Sequence, residues 1–504
     1  MKNVPLPWAE VLTPEQVERI VAEAIETLST IGVAVESLPA VEHLTSAGAK
    51  VSRDGKRVLI PADLVQRSID SAPDRFSLFD RDGNEVASIG GDRVIFDPGS
   101  AAISVYDFTE QRSRRPSTKD VVDFVAVTDQ IDAFDAQSTG VVPNDVPHEL
   151  ADRYRLFLGL VHSRKPVITG TFAKDAFSVM LAMLEEVRGG PAALEQKPLA
   201  IFDCCPSPPL MWSDLTCQAL MDCATHGIPA ETVSMPLAGA TSPVTLSGAL
   251  VQHTAESLSG LVIHQTVKPG APIVYGGAPA VFDMRKGTTP LAAVESTMIE
   301  MAYAQIGKSF GLPVHGYLAL SDAKLPDYQA GFETAMGATL AALSRINVVS
   351  GPGMLDFSSC QSLEKIVLDG EVCRIAKRLI EGIRCRGENE GVNVLREMIG
   401  TVGASFITSE HTRRHFREEV YYPSAVVDRG TYGDWEKTGK KTAADRAHSK
   451  VRELLEQPNL SMASADLVDR LETIMTADAK KHGLGALPDW RVFRAGRPGA
   501  GAHK

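Results

Sequence analysis

The sequence lacks several features that would assign it to a protein class at once. None of its apolar runs approaches the ~18 residues that a membrane-spanning helix needs, so we expect no membrane partner. It begins without a basic region followed by an apolar stretch, and we therefore predict no signal peptide. Its seven cysteines are an odd number, which suits reduced thiols in a cytoplasmic protein better than a disulfide framework.

Charge and motif content exclude further classes. The net charge is −12 and no long basic run occurs, which disfavours a nucleic-acid partner. No Cys-x-x-Cys or His-Glu-x-x-His pattern is present, and the adjacent Cys204 and Cys205 would point to opposite sides of a strand, so we expect no metal. Residues 302–309 end like a phosphate-binding loop but carry alanine in place of the first glycine. We therefore expect no tightly bound cofactor.

Short β-rich runs alternate with helix-length segments through the middle of the chain. Eight such runs are mostly compact and apolar, which is typical of parallel strands covered on both faces. Strand–helix alternation predicts an α/β fold with helical crossovers. Eight units favour a (β/α)8 TIM barrel, and a doubly wound open sheet is the alternative. The predicted strands are 93–97, 134–140, 166–170, 198–204, 228–234, 272–276, 312–317 and 346–350.

Mainly helical extensions are predicted on both sides of this region. Thr13-Pro14-Glu15-Gln16 has the pattern of a capping box with proline at the first helical position. A hairpin is predicted within 76–89, and helices are predicted near 389–400, 408–419, 441–456 and 464–481. We therefore divide the chain into an N-terminal extension (1–90), the barrel (91–384), a C-terminal helical extension (385–490) and a Gly-rich disordered tail (491–504).

The predicted carboxyl ends of the strands carry the candidate site, because TIM-barrel chemistry lies at that face. Aromatic residues make up only 6% of the chain, yet several fall at these ends, which would suit a cationic methylated ammonium. Asp97 could pair with a basic side chain or cap the next segment. His315 is the candidate catalytic residue and also a candidate donor to a substrate carboxylate. The predicted aromatic lining consists of Phe96, Phe202, Tyr275, Tyr317 and Phe357.

Several segments resemble those of the trimethylamine methyltransferase family. They are 143–152 (PNDVPHELAD), 235–248 (MPLAGATSPVTLSG), 271–287 (APIVYGGAPAVFDMRKG), 321–333 (SDAKLPDYQAGFE) and 421–437 (YYPSAVVDRGTYGDWEK). The resemblance covers roughly residues 10–475 and implies a TIM barrel. It implies methyl transfer from a methylated amine to a corrinoid (cobalamin-binding) partner protein, and a homo-oligomer. It also favours a substrate-binding or site-shaping role for Asp322 and Lys324.

One departure from the family bears on the substrate. The trimethylamine enzymes carry pyrrolysine near the segment that corresponds to 316–324 here, where this chain has ordinary residues. The chain therefore resembles the non-pyrrolysine branch, which implies a quaternary amine such as glycine betaine. When a quaternary ammonium loses a methyl group, the leaving group is a neutral tertiary amine, so neither a general acid nor a metal is required. The protein then has to orient one N-methyl group and exclude water.

Other functions remain open at the level of the sequence. The methyl group could pass directly to tetrahydrofolate or to free cobalamin instead of a corrinoid protein. A barrel that binds small cationic ligands without catalysis is an alternative of another class, since fold alone does not decide function. If the substrate has a carboxylate, the candidate donors are His315, Arg285, Lys286, Lys324 and Arg345.

Overall fold

Eight strand–helix units form the centre of the molecule in the computed structural model, which describes residues 7–386 and 390–493. We number the parallel strands β1–β8. They are β1 (Ile95–Phe96), β2 (Gln137–Ser138), β3 (Val167–Gly170), β4 (Ala200–Cys204), β5 (Ala230–Ser234), β6 (Ile273–Gly277), β7 (His315–Gly316) and β8 (Val348–Val349). Each lies within or one residue beyond a predicted run, and most are shorter than predicted.

A helix follows each of these strands. The helices are α1 (Thr118–Asp129), α2 (His148–His162), α3 (Ala176–Arg188), α4 (Asp214–His226), α5 (Leu246–Val267), α6 (Val294–Ser309), α7 (Tyr328–Leu343) and α8 (Leu363–Ile380). A further short helix, Pro191–Gln196, lies between α3 and β4. In the described part of the chain no helix is both long and apolar enough to cross a membrane.

The strands pair in two parallel ladders, β2-β3-β4-β5-β6 and β7-β8-β1. The ladders meet at a bridge between Tyr275 and Val314, and the Asp135 N–H donates to the Phe96 carbonyl at the other junction (2.9 Å). The first and last strands are neighbours, as they are around a barrel and not in a doubly wound sheet. The described ladders do not join into one continuous ring, so full closure stays a prediction.

An N-terminal hairpin fills one end of the space between the strands. Arg75–Phe79 and Glu85–Gly90 pair antiparallel, one residue beyond the predicted hairpin region of 76–89 at each end. Their apolar side chains pack against residues from β1, β3, β4, β8 and the segment before β2 in one buried cluster, because this end offers no polar partner. The cluster contains Leu78, Ala87, Ile89, Ile95, Ala136, Ile168, Ile201 and Val348.

This cluster shows which face of each strand points inward. Side chains alternate along a strand, so residues two positions further on share the inward face. Those residues are Asp97, Gly170, Asp203 and Ser350. The inner face is therefore apolar at the end of the hairpin and polar at the carboxyl ends of the strands.

The N-terminal extension covers α5. Helix Pro14–Thr30 has the predicted capping box of Thr13 and Gln16. It packs on α5 together with helices Leu38–Ser46 and Ala62–Ser71, and α5 is buried almost throughout as a result. Small two-residue strand pairs complete this region: Lys50–Val51 with Val58–Leu59, and Ala34–Val35 with Met211–Trp212.

The C-terminal segments lie outside the strand–helix units. Their helices are Glu390–Gly400, Glu410–Glu419, Tyr432–Lys437, Ala443–Glu456 and Ala465–Lys481, with 3-10 turns at Phe406–Thr408 and Trp490–Phe493. Ala465–Lys481 packs on α2 and α3, which buries α2 from Leu150 to His162. Of the predicted tail, 491–493 belong to the last turn, and 494–504 lie outside the described residues.

Two small sheets lie beyond the carboxyl ends of the central strands. Met354–Leu355, Cys360–Gln361, Ser104–Asp107 and Arg112–Arg114 form a four-stranded sheet that joins the loops after β1 and β8. Leu237–Ala238 pairs with Ala280–Val281 and joins the loops after β5 and β6. Each of these small sheets thus holds two loops together at the carboxyl face of the strands.

Candidate active site

A chain of buried polar groups crosses four strands at this face. His315 of β7 is fully buried, and its Nε2 lies 3.1 Å from Ser350 Oγ just after β8. Ser350 Oγ donates to both oxygens of Asp97 after β1 (2.8 and 2.9 Å). On its other side, His315 Nδ1 lies 3.2 Å from Glu231 Oε1 of β5. The imidazole ring thus lies between Glu231 on one side and Ser350, bonded to Asp97, on the other.

The hydrogen-bond directions constrain the charge on His315. Ser350 uses its only hydroxyl hydrogen on Asp97, so it accepts from Nε2, and Nε2 carries a proton. Burial lowers the pKa of His315 to about 3, which leaves Nδ1 unprotonated in the neutral ring. His315 is therefore a neutral, fixed imidazole near neutral pH.

Three carboxyl groups lie in this buried region. Asp203 and Glu231 are direct register partners on β4 and β5. Burial raises the pKa of Asp203 to about 6, against the opposing effects of neighbouring Glu231 and Arg155. Burial also raises the pKa of Glu231, and the adjacent Asp203 adds to that shift. The pKa of Asp97 is raised by burial despite its bonds from Ser350. Like charges so close in a poorly solvated site cannot all ionise cheaply.

Part of this polar surface has no protein partner. Among the described residues, neither Glu231 oxygen makes a hydrogen bond of good geometry, and Asp203 Oδ1 also lacks one. Buried acceptors without partners cost free energy unless a ligand or water satisfies them. The cluster of Asp97, Asp203 and Glu231, which we call the carboxyl cluster, is suited to bind a cation.

Of the predicted aromatic lining, the structure brings Tyr317 to the carboxyl cluster. Its ring stands edge-on to His315, with centroids 5.3 Å apart. Burial raises the pKa of Tyr317, and the negative charges of Asp203, Asp97 and Glu231 add to the shift.

Three other predicted rings face the helices and not the interior. Phe202 packs on Phe177 of α3, with centroids 5.0 Å apart. The Tyr275 hydroxyl donates to Thr254 of α5 (3.2 Å), and Phe96 lies 5.9 Å from Lys377 of α8. These rings follow or precede inward-facing residues by one position, so strand alternation turns them outward. The structure does not bring them to the carboxyl cluster.

The remaining predicted residues lie in the loops after β6, β7 and β8. Asp322 accepts from the N–H groups of Leu291 and Ala292 (3.1 and 3.0 Å), and burial raises its pKa to about 6. Lys324 Nζ lies 3.8 Å above the Phe357 ring and 3.0 Å from Asp356. These contacts join the loops and leave Lys324 more than half exposed.

The loop that carries Phe357 has an unusual backbone. Asp356, Phe357 and Ser358 all have positive φ, at 50°, 55° and 64°. For residues other than glycine, this left-handed conformation costs about 1–2 kcal/mol each. The ion pair with Lys324 and the bond from the Asp356 N–H to the Ala323 carbonyl (2.8 Å) hold the turn in place.

A model of the trimethylamine methyltransferase family, MTTB, matches residues 2–483. The chain belongs to this family. Trimethylamine methyltransferase MttB of Desulfitobacterium hafniense (strain DSM 10664 / DCB-2) is 30% identical over 470 residues, or 93% of this chain and 94% of the relative. A glycine betaine methyltransferase of Desulfitobacterium hafniense (strain Y51) is 29% identical over 452 residues, or 89% and 93%. The identification as a methyltransferase of this family confirms the resemblance found in the sequence.

A solved structure supports the fold of this family member. Monomethylamine methyltransferase MtmB of Methanosarcina barkeri superposes with a TM-score of 0.51 over 88% of each chain, at 10% identity. MtmB is a TIM-barrel protein, so the likeness confirms the α/β fold, with parallel strands and crossover helices. At this identity the comparison concerns the fold alone.

Three of the five segments that carry the family resemblance contain or follow strands β5, β6 and β7. Residues 235–248 follow β5, residues 271–287 contain β6, and residues 321–333 follow β7. The family member thus places its signature segments in the loops that surround the carboxyl cluster. The chemistry-bearing side chains that sequence reasoning missed are Asp203, Glu231, Ser350 and Arg155.

A group of possible metal-ligating side chains lies where α2 and α3 meet the C-terminal helix Ala465–Lys481. In the described residues, Asp175, Asp478 and His482 are grouped with ligand atoms within 4.8 Å of one another. Arg153 donates to both Asp175 and Asp478 there (2.9 and 2.7 Å), so its guanidinium already neutralises the two carboxylates. We interpret this group as an ion-pair cluster that attaches helix Ala465–Lys481 to α2 and α3.

Proposed function

We propose that this family member removes a methyl group from a quaternary amine, glycine betaine or a related betaine, and passes it to the cobalt of a corrinoid protein. The observation that carries the proposal is the carboxyl cluster beside Tyr317 at the carboxyl ends of the strands. Family membership indicates the reaction class, and the carboxyl cluster indicates that the substrate is positively charged.

A quaternary ammonium would bind the carboxyl cluster through its fixed charge. It has no N–H group, so it would compensate the negative charge of the cluster without donating hydrogen bonds to its oxygens. In a buried site a fixed positive charge would stabilise the ionised forms of Asp203 and Glu231. The ring of Tyr317 adds a cation–π contact. We therefore assign the binding role to carboxyl groups plus one ring, in place of the predicted ring cage.

Binding of the cation does not by itself accelerate methyl transfer. The positive charge on nitrogen disperses as the methyl group leaves, so attraction to the ground state contributes affinity more than rate. The rate has to come from orientation and from exclusion of water. A neutral His315, fixed by its bond to Ser350, is suited to hold the Tyr317 ring that stands edge-on to it.

The corrinoid, carried by the partner, would supply the nucleophilic cobalt. The residues of this chain would bind the ammonium, orient one methyl group and leave the carboxyl face of the strands open to the partner. The leaving tertiary amine needs no proton, which agrees with a site whose imidazole stays neutral. Every one of the 504 positions carries a standard amino acid, which supports a substrate that is already quaternary.

A methyl-transfer assay tests this proposal. The purified chain is incubated with glycine betaine, proline betaine, carnitine or trimethylamine, and with either cob(I)alamin or tetrahydrofolate. NMR measures the demethylated amine, and the absorption spectrum measures methylcobalamin. We expect demethylation of at least one quaternary amine with the cobalt acceptor, and loss of activity in Asp203→Asn. Asp92→Asn, an exposed carboxylate paired with Arg345 at the other end of the strands, is the matched control.

Each alternative predicts a different result. Demethylation with tetrahydrofolate in the absence of cobalamin would favour the direct transfer to folate. Binding of quaternary amines without turnover on any acceptor, including a corrinoid protein, would favour a non-catalytic binding barrel. We also propose domain limits at 90, 384 and 490, which limited proteolysis tests. We further propose a homo-oligomeric state, which light scattering tests.

A further inference from the structure

Arg155 of α2 is a buried guanidinium that the predicted chemistry did not include. It is 2% exposed, and its Nε donates to the Ala151 carbonyl (3.2 Å). Its Nη1 donates to the Thr139 carbonyl just after β2. The guanidinium carbon lies 4.6 Å from the ring centroid of Phe172, which follows β3. Arg155 therefore reaches from the helix layer to the carboxyl ends of β2 and β3.

Other buried basic side chains have protein counter-charges or full sets of carbonyl acceptors. Arg153 pairs with Asp152, Asp175 and Asp478, and Lys365 pairs with Asp369. Arg81 donates to four backbone carbonyls. Among residues 7–386 and 390–493, by contrast, no carboxylate forms an ion pair with Arg155. Burial without such a pair lowers the pKa of Arg155 to about 10.

The free part of the guanidinium belongs to the same region as the carboxyl cluster. Asp152, Asp203 and Tyr317 are close enough to act electrostatically on Arg155, Asp152 most strongly, although none of them forms a direct ion pair with it. Each terminal nitrogen of arginine carries two hydrogens, and Thr139 takes one of those on Nη1. One hydrogen on Nη1 and two on Nη2 remain, which matches the two oxygens of a carboxylate.

We propose that Arg155 binds the carboxylate of the substrate, and that the enzyme therefore selects zwitterionic quaternary amines over amines without an acid group. This inference rests on the proposed function. The site would have two poles, with the carboxyl cluster at the ammonium and Arg155 at the carboxylate. A buried guanidinium without a direct ion pair is costly, and a bound carboxylate would supply that pair.

Binding measurements on two ligands test the inference. Glycine betaine carries both charges, and tetramethylammonium carries only the ammonium. Calorimetry gives the dissociation constant of each ligand for the wild type, Arg155→Lys and Arg155→Gln. Arg112→Gln is the matched control, because Arg112 is an exposed arginine near the same face, paired with Glu110. We expect Arg155→Gln to bind glycine betaine about 10- to 150-fold more weakly, as for loss of a charged hydrogen-bonding partner.

The second ligand separates binding from general damage to the site. Tetramethylammonium affinity should change less than about 3-fold in Arg155→Gln, and Arg155→Lys should recover part of the betaine affinity. Equal weakening of both ligands would overturn the inference, since Arg155 would then act on the site as a whole. If Arg155→Gln does not fold, the wild type still decides. Tetramethylammonium binding as tightly as glycine betaine, or methyl transfer from it with equal kcat/KM, would overturn the carboxylate role. If methyl transfer from a quaternary amine is still observed in that case, the proposed function stands. Absence of transfer from every amine would contradict that function itself.

Discussion

Asp203 and Glu231 are register partners on neighbouring parallel strands at the carboxyl ends of β4 and β5, where Glu231 is fully buried and Asp203 is partly buried. Two carboxyl groups in such a position keep their protons up to a higher pH than they would in water. Burial is the main cause, and the pKa of Asp203 rises from its usual 3.8 to about 6. The relationship links substrate charge to proton binding, because a cation placed beside the pair favours its ionised form.

The first prediction is that a quaternary amine releases protons when it binds. The free enzyme retains protons on the carboxyl cluster, and the bound cation lowers the pKa values that burial has raised. Affinity should therefore increase as pH rises through about 6, the pKa of Asp203. Calorimetry in buffers of different ionisation enthalpy measures the proton count. We expect a release near pH 6 that Asp203→Asn reduces, and an unchanged proton count in wild type and variant would contradict the coupling.

The same pKa shift has a consequence for stability. A carboxyl group whose pKa is higher in the folded state binds more protons there than in the unfolded chain. Asp203 therefore lowers the free energy of unfolding as pH rises from about 4 to about 6. Asp203→Asn should be more stable than the wild type at pH 8 and should lose that advantage at pH 4. Urea unfolding at both pH values measures the difference, and Asp92→Asn should show no such dependence.

The ion pairs at α2 predict how the C-terminal helix is held. Arg153 is fully buried, and Asp478 of helix Ala465–Lys481 is 4% exposed at 2.7 Å from it. Asp478→Ala removes one of three carboxylates around Arg153, and Asp152 and Asp175 remain to compensate the guanidinium. We expect the loss of this charged hydrogen bond to lower the free energy of unfolding by about 1.5–3 kcal/mol. Asp466→Ala is the control on the same helix, since Asp466 pairs with Arg470 at the surface. Equal effects of the two variants would show that the buried pair has no special role.

The fold followed from the sequence more readily than the site did. Compact apolar runs such as 198–204 identified strands, because strands covered on both faces need apolar residues on both. The same property concealed the direction of each side chain. Phe202 and Asp203 are neighbours in that run, and only the hairpin residues Leu78 and Ile89, packed on Ile201, show that Asp203 faces inward. No alternating pattern in the run indicates this.

Long-range packing also concealed Arg155. A basic residue on a helix is usually solvated, and α2 carries several charged residues in a pattern typical of an exposed face. Arg155 instead lies on the side of α2 that meets the carboxyl ends of β2 and β3, where it donates to the Thr139 carbonyl, while helix Ala465–Lys481 covers the side that carries Arg153. A single sequence does not show which charged residues of a helix face another layer of the fold. The family resemblance supplied the reaction class, whereas the electrostatic arrangement of the site required the structure.

Two aromatic residues, Tyr317 and Phe202, should differ in whether they contribute to ligand affinity or to stability. Tyr317 lies beside the carboxyl cluster, so Tyr317→Leu should weaken binding of a quaternary amine roughly 2- to 30-fold, as for loss of a cation–π contact of 0.5–2 kcal/mol. Phe202→Leu should leave affinity unchanged and reduce stability by roughly 1–2 kcal/mol, because Phe202 packs on Phe177. Calorimetry and urea unfolding on both variants measure the two effects. A loss of affinity in Phe202→Leu that matched that of Tyr317→Leu would contradict the outward direction of the Phe202 ring.

The last prediction concerns the chemical step and His315. A quaternary cation cannot lose a proton, and its leaving amine needs none, so the saturated rate of methyl transfer should be nearly flat across neutral pH. Burial holds the pKa of His315 near 3, far below that range, so its titration should not appear in the rate either. His315→Gln should lower the rate at every pH alike, because it alters the bond to Ser350 and the packing on Tyr317. Single-turnover rates with excess betaine and prereduced cob(I)alamin measure this from pH 6 to pH 9. A rate that falls tenfold per pH unit above some pKa, and loses that fall in His315→Gln, would show that the enzyme protonates its leaving group.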